Sequence, residues 1–246
     1  SNYTYLFIIF SSIINWADRY FIKIYSSQAD VGLYDAVYRI TDILGVIIGS
    51  FMVAIAPILF SREKNDNKYF LNIKQQVEIA FLLALAGVFI SPIAIELLLP
   101  EAYFSQIKIV PILLLGLAFA SSASVVTTIF DVNERKDLNL KGIIVGTVFN
   151  IIFNIVLIPD FGTLGAAYSM LIAGFIWFLT NLFFARKFNF NLTNSFMTIL
   201  VVCSIVLAHF VLWKFTFIYD LTGIVFFLII SYRAYFVLKN IISFNS

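Results

Sequence analysis

Two stretches of the chain place charge in the middle of sequence apolar enough to cross a bilayer. Asn15-Trp16-Ala17-Asp18-Arg19 lies inside the run 4–25, and Tyr38-Arg39-Ile40-Thr41-Asp42 lies inside the run 33–60. A charge at bilayer depth costs ~2.5–3.5 kcal/mol on insertion scales, so it needs a partner or a water-filled cavity. A short polar stretch, Ser26 to Gly32, joins the two runs, which makes them antiparallel neighbours. On that register Arg19 pairs with Asp42 and Asp18 with Arg39, and the four charges meet at similar depth.

Composition fixes the class. The chain has 246 residues, of which 61% are hydrophobic and 12% charged. A soluble domain carries ~25% charged residues, so half that fraction means a polytopic membrane protein. The 28 Phe suit a lipid-facing surface, and the net charge of +2 is too small to point to nucleic acid. The single cysteine, Cys203, excludes intrachain disulfides and a thiolate metal cluster. No Gly-rich phosphate loop or metal-ligand spacing occurs, so no cofactor and no metal are expected. The chain starts without Met and enters its first apolar run with no charged leader and no cleavage site. The run 4–25 is therefore not read as a signal peptide, and the chain reads as the C-terminal part of something longer.

A crossing helix needs ~20 mostly apolar residues. About eight runs qualify: 4–25, 33–60, 69–98, 107–130, 138–158, 163–185, 196–217 and 221–238. None alternates with the period of a barrel strand, so the expected class is all-α, a polytopic membrane helix bundle. One set of connections holds Arg62, Lys64, Lys68 and Lys74, then Arg135, Lys136 and Lys141, then Arg186 and Lys187. The other set holds 26–32 and 159–162, without Lys or Arg, and has only Lys108 and Lys214 near helix ends. The positive-inside rule then puts both ends of the chain in the cytoplasm and the 26–32 connection outside.

Helix faces give the packing. Ser11, Asn15 and Arg19 recur every four residues, with Ser12 and Asp18 alongside, as one polar stripe. Asp35, Arg39, Asp42, Gly45 and Gly49 share a face of the next run. Gly142, Gly146, Asn150 and Asn154 repeat every four residues in the fifth run, and Gly165, Ala166 and Ser169 open the sixth. Small residues let helices approach closely and Asn hydrogen-bonds across, so runs five and six form a tight hairpin turned at Pro159-Asp160-Phe161-Gly162. Pro57 and Pro92 are expected to kink or end their helices. The last two runs hold few polar residues and read as peripheral.

Two stretches carry a family resemblance. Ala17-Asp18-Arg19 followed by Asp30-Val31-Gly32-Leu33-Tyr34-Asp35-Ala36-Val37-Tyr38-Arg39-Ile40 resembles the start of the C-terminal lobe of polysaccharide repeat-unit flippases. These belong to the multidrug/oligosaccharidyl-lipid/polysaccharide exporter superfamily. The run from Asn150 through Pro159-Asp160-Phe161-Gly162 to Ala167 is similar to that family's other recurrent stretch. The resemblance implies a two-lobe exporter of which this chain is the C-terminal half: a six-helix transport lobe, 1–186, and two additional helices, 187–246. It implies partners as well: a lipid-linked oligosaccharide, membrane lipids and a missing N-terminal lobe. The implied activity is flipping of undecaprenyl-pyrophosphate-linked repeat units across the bacterial inner membrane for surface polysaccharide or lipopolysaccharide, by alternating access. A cation-coupled multidrug exporter of the same superfamily is the alternative, and a membrane-embedded glycan-processing enzyme ranks below both.

Seven residues are candidates for the site. Arg39 and Arg19, with Tyr38 and Asn15, are expected to bind substrate, because a guanidinium matches a pyrophosphate in two-point geometry. Asp18, Asp42 and Asp35 are expected either to carry a coupling proton or Na⁺ or to form salt bridges. For Arg39 the alternative is an ion pair with Asp35 or Asp42, three or four residues away on the same helix. Asn15, Asn150 and Asn154 also read as helix–helix hydrogen-bonding residues, and Trp16 and Tyr38 as interface aromatics.

Overall fold

The computed structural model describes residues 2–60, 67–192, 199–203 and 206. Six long α-helices make up almost all of it, and no strand occurs among the described residues. They are α1 (Asn2–Tyr25), α2 (Gln28–Phe60), α3 (Asn67–Leu98), α4 (Val110–Val132), α5 (Lys136–Phe161) and α6 (Thr163–Ala185). Each expected run in this part of the chain is a helix. Arg62, Lys64, most of the 196–217 run and all of the 221–238 run lie outside the described residues.

The differences fall at helix ends. Helix α2 begins at Gln28 rather than Leu33, so the connection from α1 shrinks to Ser26 and Ser27. Ser27 makes this early start possible. Its hydroxyl accepts from the Asp30 backbone N–H at 3.1 Å and donates to the Asp30 carboxylate at 2.7 Å, a reciprocal N-terminal cap. A 3-10 segment, Glu101–Ile109, precedes α4, whose first turn contains Pro111, where a missing N–H costs nothing. Helix α5 runs through Pro159 to Phe161, so the expected four-residue turn reduces to Gly162. Gly162 has φ 54° and ψ −130°, a conformation that residues with a Cβ rarely adopt. Helices α2 and α3 likewise continue past Pro57 and Pro92.

The helices close into a ring of neighbours: α1 on α5, α5 on α6, α6 on α4, α4 on α3, α3 on α2, and α2 back on α1. Helix α4 is the most enclosed. Buried residues cover nearly its whole circumference, and Phe119 packs edge-on against Phe81 of α3 and Phe175 of α6. A helix that is apolar all round belongs in a protein interior or a membrane. The segments Tyr69–Leu98, Glu101–Val132, Lys136–Phe161 and Thr163–Phe188 are long and apolar enough to cross a membrane by length and composition. At 24 and 33 residues, α1 and α2 are also long enough to cross, though they carry the charges discussed above.

Glycine sets the closest approaches. A Cβ on Gly142 would overlap the Asn181 side chain, and one on Gly165 would overlap the Leu157 carbonyl. Gly116 and Gly174 do the same work between α4 and α6, where a Cβ on Gly174 would sit 2.8 Å from the Gly116 carbonyl oxygen. Polar ties join α6 to α4 and α5 to α1. Asn181 Nδ2 donates to the Ala123 carbonyl at 2.9 Å, and Thr147 Oγ1 reaches the Phe10 carbonyl at 3.2 Å. Gly165→Ala is therefore expected to destabilise the bundle by about 1–3 kcal/mol through overpacking against backbone. Gly32→Ala, with nothing within 4 Å, should be neutral or stabilising. Thermal unfolding of the detergent-solubilised protein checks both.

Candidate functional site

The early start of α2 resets the register of the α1–α2 hairpin. With the turn centred on Ser26 and Ser27, positions 18 and 19 of α1 come level with positions 34 and 35 of α2. Arg19 therefore meets Asp35, and Asp18 meets Tyr34. The pairings expected from a longer connection, Arg19 with Asp42 and Asp18 with Arg39, do not form. The structure corrects them because the turn is shorter and centred nearer the N-terminus than the polar stretch 26–32 implies.

Asp18 is the deepest charged group of the site, 2% exposed. Its Oδ2 accepts the Tyr34 hydroxyl at 2.9 Å, and its Oδ1 accepts the Asn154 amide at 2.8 Å and the Asn150 amide at 3.2 Å. Asn154 Nδ2 is also 3.1 Å from Asn150 Oδ1. All three partners are themselves buried. The four-residue spacing of Asn150 and Asn154 on α5 puts both amides on the face that meets α1. The periodicity identified them as helix-bridging residues, and the structure supplies what they bridge to. Tyr34 was missed by sequence reasoning. The signal for it is its place sixteen residues from Asp18, which becomes readable only once the turn is located. Among the described residues Asp18 forms no ion pair, so its carboxylate is surrounded by neutral donors.

Arg19 points away from Asp18. Its Nε and Nη2 both meet Asp35 Oδ1, at 2.7 and 2.6 Å, and its Nη1 donates to the Asn15 carbonyl at 2.6 Å. The guanidinium carbon lies 4.6 Å from the Tyr38 ring centroid and 5.0 Å from that of Trp16. Two rings, a carboxylate and a carbonyl thus enclose it. Arg39 Nε donates to the other oxygen of Asp35 at 2.7 Å. Asp35 therefore serves both arginines, with very different exposure: the Arg19 side chain is 14% accessible and that of Arg39 is 76%. The four-residue pairing of Arg39 with Asp35 allowed by the sequence is present, on a surface where the arginine remains open. Asp42 is exposed and lies outside this set of ion pairs. Asn15 is exposed too and contributes its backbone carbonyl.

Two openings flank these groups. A cleft of about 480 Å³ is lined by Trp16, Arg19, Tyr20, Lys23, Gln28, Val31, Gly32 and Asp35. A second cavity, of about 210 Å³, enters the bundle between α1, α4 and α6 and touches Asp18. No group of three or more His, Cys, Asp or Glu side chains suited to a metal is found among the described residues.

A ring of long apolar helices with a buried carboxylate and a half-open arginine pair at one hairpin defines a multi-pass helical membrane protein. No protein-family model matches the chain. An uncharacterized membrane protein of Methanocaldococcus jannaschii is 29% identical over 185 residues, which is 71% of this chain and 36% of that protein. The inward closed conformation of the lipid II flippase MurJ superposes with a TM-score of 0.71 at 22% identity, over 96% of this chain and 53% of that one. The chain has a MurJ-like all-helical fold. It spans about half the length of that flippase and about a third of the archaeal relative.

The enclosed and open arginines should separate in double-mutant cycles. The coupling of Arg19 with Asp35 is expected at about 1 kcal/mol or more. That of Arg39 with Asp35 should fall within the ~0–1 kcal/mol of an exposed pair. Unfolding of Arg19→Gln, Arg39→Gln, Asp35→Asn and the two double variants measures both.

Proposed function

We propose that the chain is part of a transporter, rather than an enzyme, that flips a lipid-linked oligosaccharide between membrane leaflets by alternating access. The substrate class we favour is an undecaprenyl-pyrophosphate-linked repeat unit for polysaccharide biosynthesis, carried across the bacterial inner membrane. Both ends of this segment would be cytoplasmic, and an N-terminal lobe of the same protein would complete the cavity. Support comes from the MurJ-like fold, since that neighbour is named for flipping lipid II, itself a lipid-linked precursor. The observation that carries the reading is Arg39. It is a cation on a membrane helix, held by one carboxylate yet 76% accessible. A pyrophosphate can take the exposed face of the guanidinium while Asp35 stays on its Nε.

Arg19 then acts as a positioning residue. Enclosed by Asp35, Tyr38 and Trp16, it holds the carboxylate that orients Arg39. The exposed ring of Trp16 beside it offers a stacking face to a sugar. A drug-cation exporter would want its carboxylates open, whereas Asp35 is shared by two arginines and Asp18 is buried under three hydrogen bonds, which leaves Asp42 as the open carboxylate among the three candidates. That arrangement favours an anionic substrate.

Asp18 carries a second part of the proposal. A buried carboxylate with neutral partners and no ion pair is a natural holder for a proton or a monovalent cation. Asn150, Asn154 and Tyr34 fix its position, and Asn154 Oδ1, buried without a hydrogen-bond partner, is an oxygen beside it for a bound cation.

Two measurements test these roles in the full-length protein in its own cell. Arg39→Ala is expected to reduce surface polysaccharide at least tenfold at normal protein level, with Arg39→Lys partly restoring it. Unchanged export by Arg39→Ala removes the pyrophosphate role. Asp18→Asn, which keeps shape and hydrogen bonding, should flatten the Na⁺ or pH dependence of transport. A dependence identical to that of the unmodified protein removes Asp18 as the coupling group.

A further inference from the structure

The cleft beside Arg19 holds more than an arginine–carboxylate pair needs. Trp16, Arg19, Tyr20 and Lys23 line its α1 wall. At ~100° per residue they fall within an arc of about 100° on that helix. Gln28, Val31, Gly32 and Asp35 line the α2 wall with the same spacing. The rings of Trp16 and Tyr20 are 65% and 64% exposed, so both are offered to an occupant rather than to the core. Gly32 leaves the opposite wall bare, with nothing within 4 Å of the position a Cβ would take. At about 480 Å³ the cleft falls within the ~300–1,000 Å³ of ordinary small-molecule sites.

The charges along the cleft do not cancel. Asp35 is taken up by Arg19 on one oxygen and by Arg39 on the other. Lys23, at the far end of the α1 wall, forms no ion pair among the described residues, and the amide of Gln28 on the facing wall makes no hydrogen bond among them. Asp30 points elsewhere: it lies ~200° round α2 from Gln28. Its carboxylate accepts the Ser27 hydroxyl. Lys23 is in the last turn of α1, where a cation suits the helix dipole. The dipole accounts for the sign of the charge and not for its place on the ring-bearing face. Because Arg19 meets Asp35, Lys23 comes level with Val31, one turn nearer the hairpin tip. Arg39 is eight residues from Val31 on α2, or ~12 Å along the hairpin. That separation exceeds the reach of a sugar attached directly to a pyrophosphate at Arg39 and suits the next sugar along.

We propose that this cleft is a subsite for an acidic sugar, a carboxylate-bearing pyranose of the uronic acid type, as the second sugar from the pyrophosphate. Trp16 and Tyr20 stack on the C–H-bearing faces of the pyranose through the negative faces of their rings. Lys23 pairs with the carboxylate, and the Gln28 amide donates beside it. One unpaired ammonium, a compact point charge, calls for a single negative charge, whereas a phosphate is better matched by a guanidinium such as that of Arg39. Gly32 keeps the α2 wall low enough for a sugar ring to lie between the helices. The inference rests on the reading of Arg39 as the pyrophosphate ligand and adds what the carried glycan contains.

The test uses the full-length protein in detergent and three probes: a short-chain prenyl pyrophosphate, and the same lipid carrying N-acetylglucosamine followed by either glucose or glucuronic acid. Titration calorimetry reads binding. The unmodified protein is expected to bind the glucuronic acid probe at least fivefold more tightly than the glucose probe. Lys23 is exposed, so its substitution leaves the fold intact. Lys23→Gln should remove the preference without changing affinity for the glucose probe, and Lys23→Arg should keep it. Gly32→Leu should weaken both disaccharide probes at least fivefold and leave the sugar-free probe as before. Arg39→Ala should weaken all three. Equal affinity for the two disaccharide probes overturns the acidic-sugar inference and leaves the Arg39 reading standing. A preference that survives Lys23→Gln, or disaccharide binding indifferent to Gly32→Leu, removes the cleft as the subsite. If Arg39→Ala weakens none of the probes, the pyrophosphate reading falls first and the inference with it.

Discussion

A carboxylate held away from both lipid and bulk water is the constraint around which this helix bundle is arranged. Asp18 takes a donor from α2 and two from α5, so one side chain holds three helices in register. Interhelical hydrogen bonds inside a membrane contribute only ~0.6 kcal/mol each on average. Their value here is positional: removing any one leaves a polar atom stranded where nothing replaces it. The close α5–α6 seam, made possible by Gly142, Gly146 and Gly165, backs α5 from behind and fixes the side it turns to Asp18. Thr147, on α5 and bonded to the Phe10 carbonyl of α1, adds a further tie between α1 and α5.

The neighbouring charges divide their work by exposure. Asp35 gives one oxygen to Arg19 and the other to Arg39, but only Arg19 is enclosed. The enclosed pair is shielded by two rings and keeps its geometry. The open pair is weak enough to exchange partners, whereas an arginine locked in a buried ion pair has little left to offer an anion. Adjacent residues on α1 point ~100° apart. Asp18 and Arg19 therefore serve different spaces, the interior of the bundle and the cleft at its hairpin.

Much of this was legible in the residues. The apolar runs located the six described α-helices, and Gly142 and Gly146 marked the close α5–α6 seam, but Asn150 and Asn154 cross to Asp18 of α1 instead. Of the charged residues of the first two runs, Arg19, Asp35 and Arg39 came together while Asp42 stayed outside. Helix ends were less legible, and one of them mattered. The stretch Ser26 to Gly32 is polar enough to read as a loop, yet the Ser27–Asp30 cap starts α2 within it. Moving the turn by a few residues exchanged Asp42 for Asp35 and Arg39 for Tyr34 as partners across the hairpin. A tyrosine in an apolar run carries no mark of its own, so Tyr34 was passed over although it is one of the three groups that hold Asp18.

The amino-acid sequence alone determined the class of structure and its inventory of charges, because hydropathy over ~20 residues and helical periodicity are local properties. It also determined that Asp18, Arg19, Arg39 and Asp42 needed a partner or a water-filled space, since a bare charge at bilayer depth is costly. Which partner each took was decided by tertiary structure. The separation of a buried Asp18 from an open Arg39 depends on a two-residue turn, on α5 packing against α1, and on the depth at which α4 and α6 meet. Those are relations between helices far apart in the chain, and no window of sequence contains them.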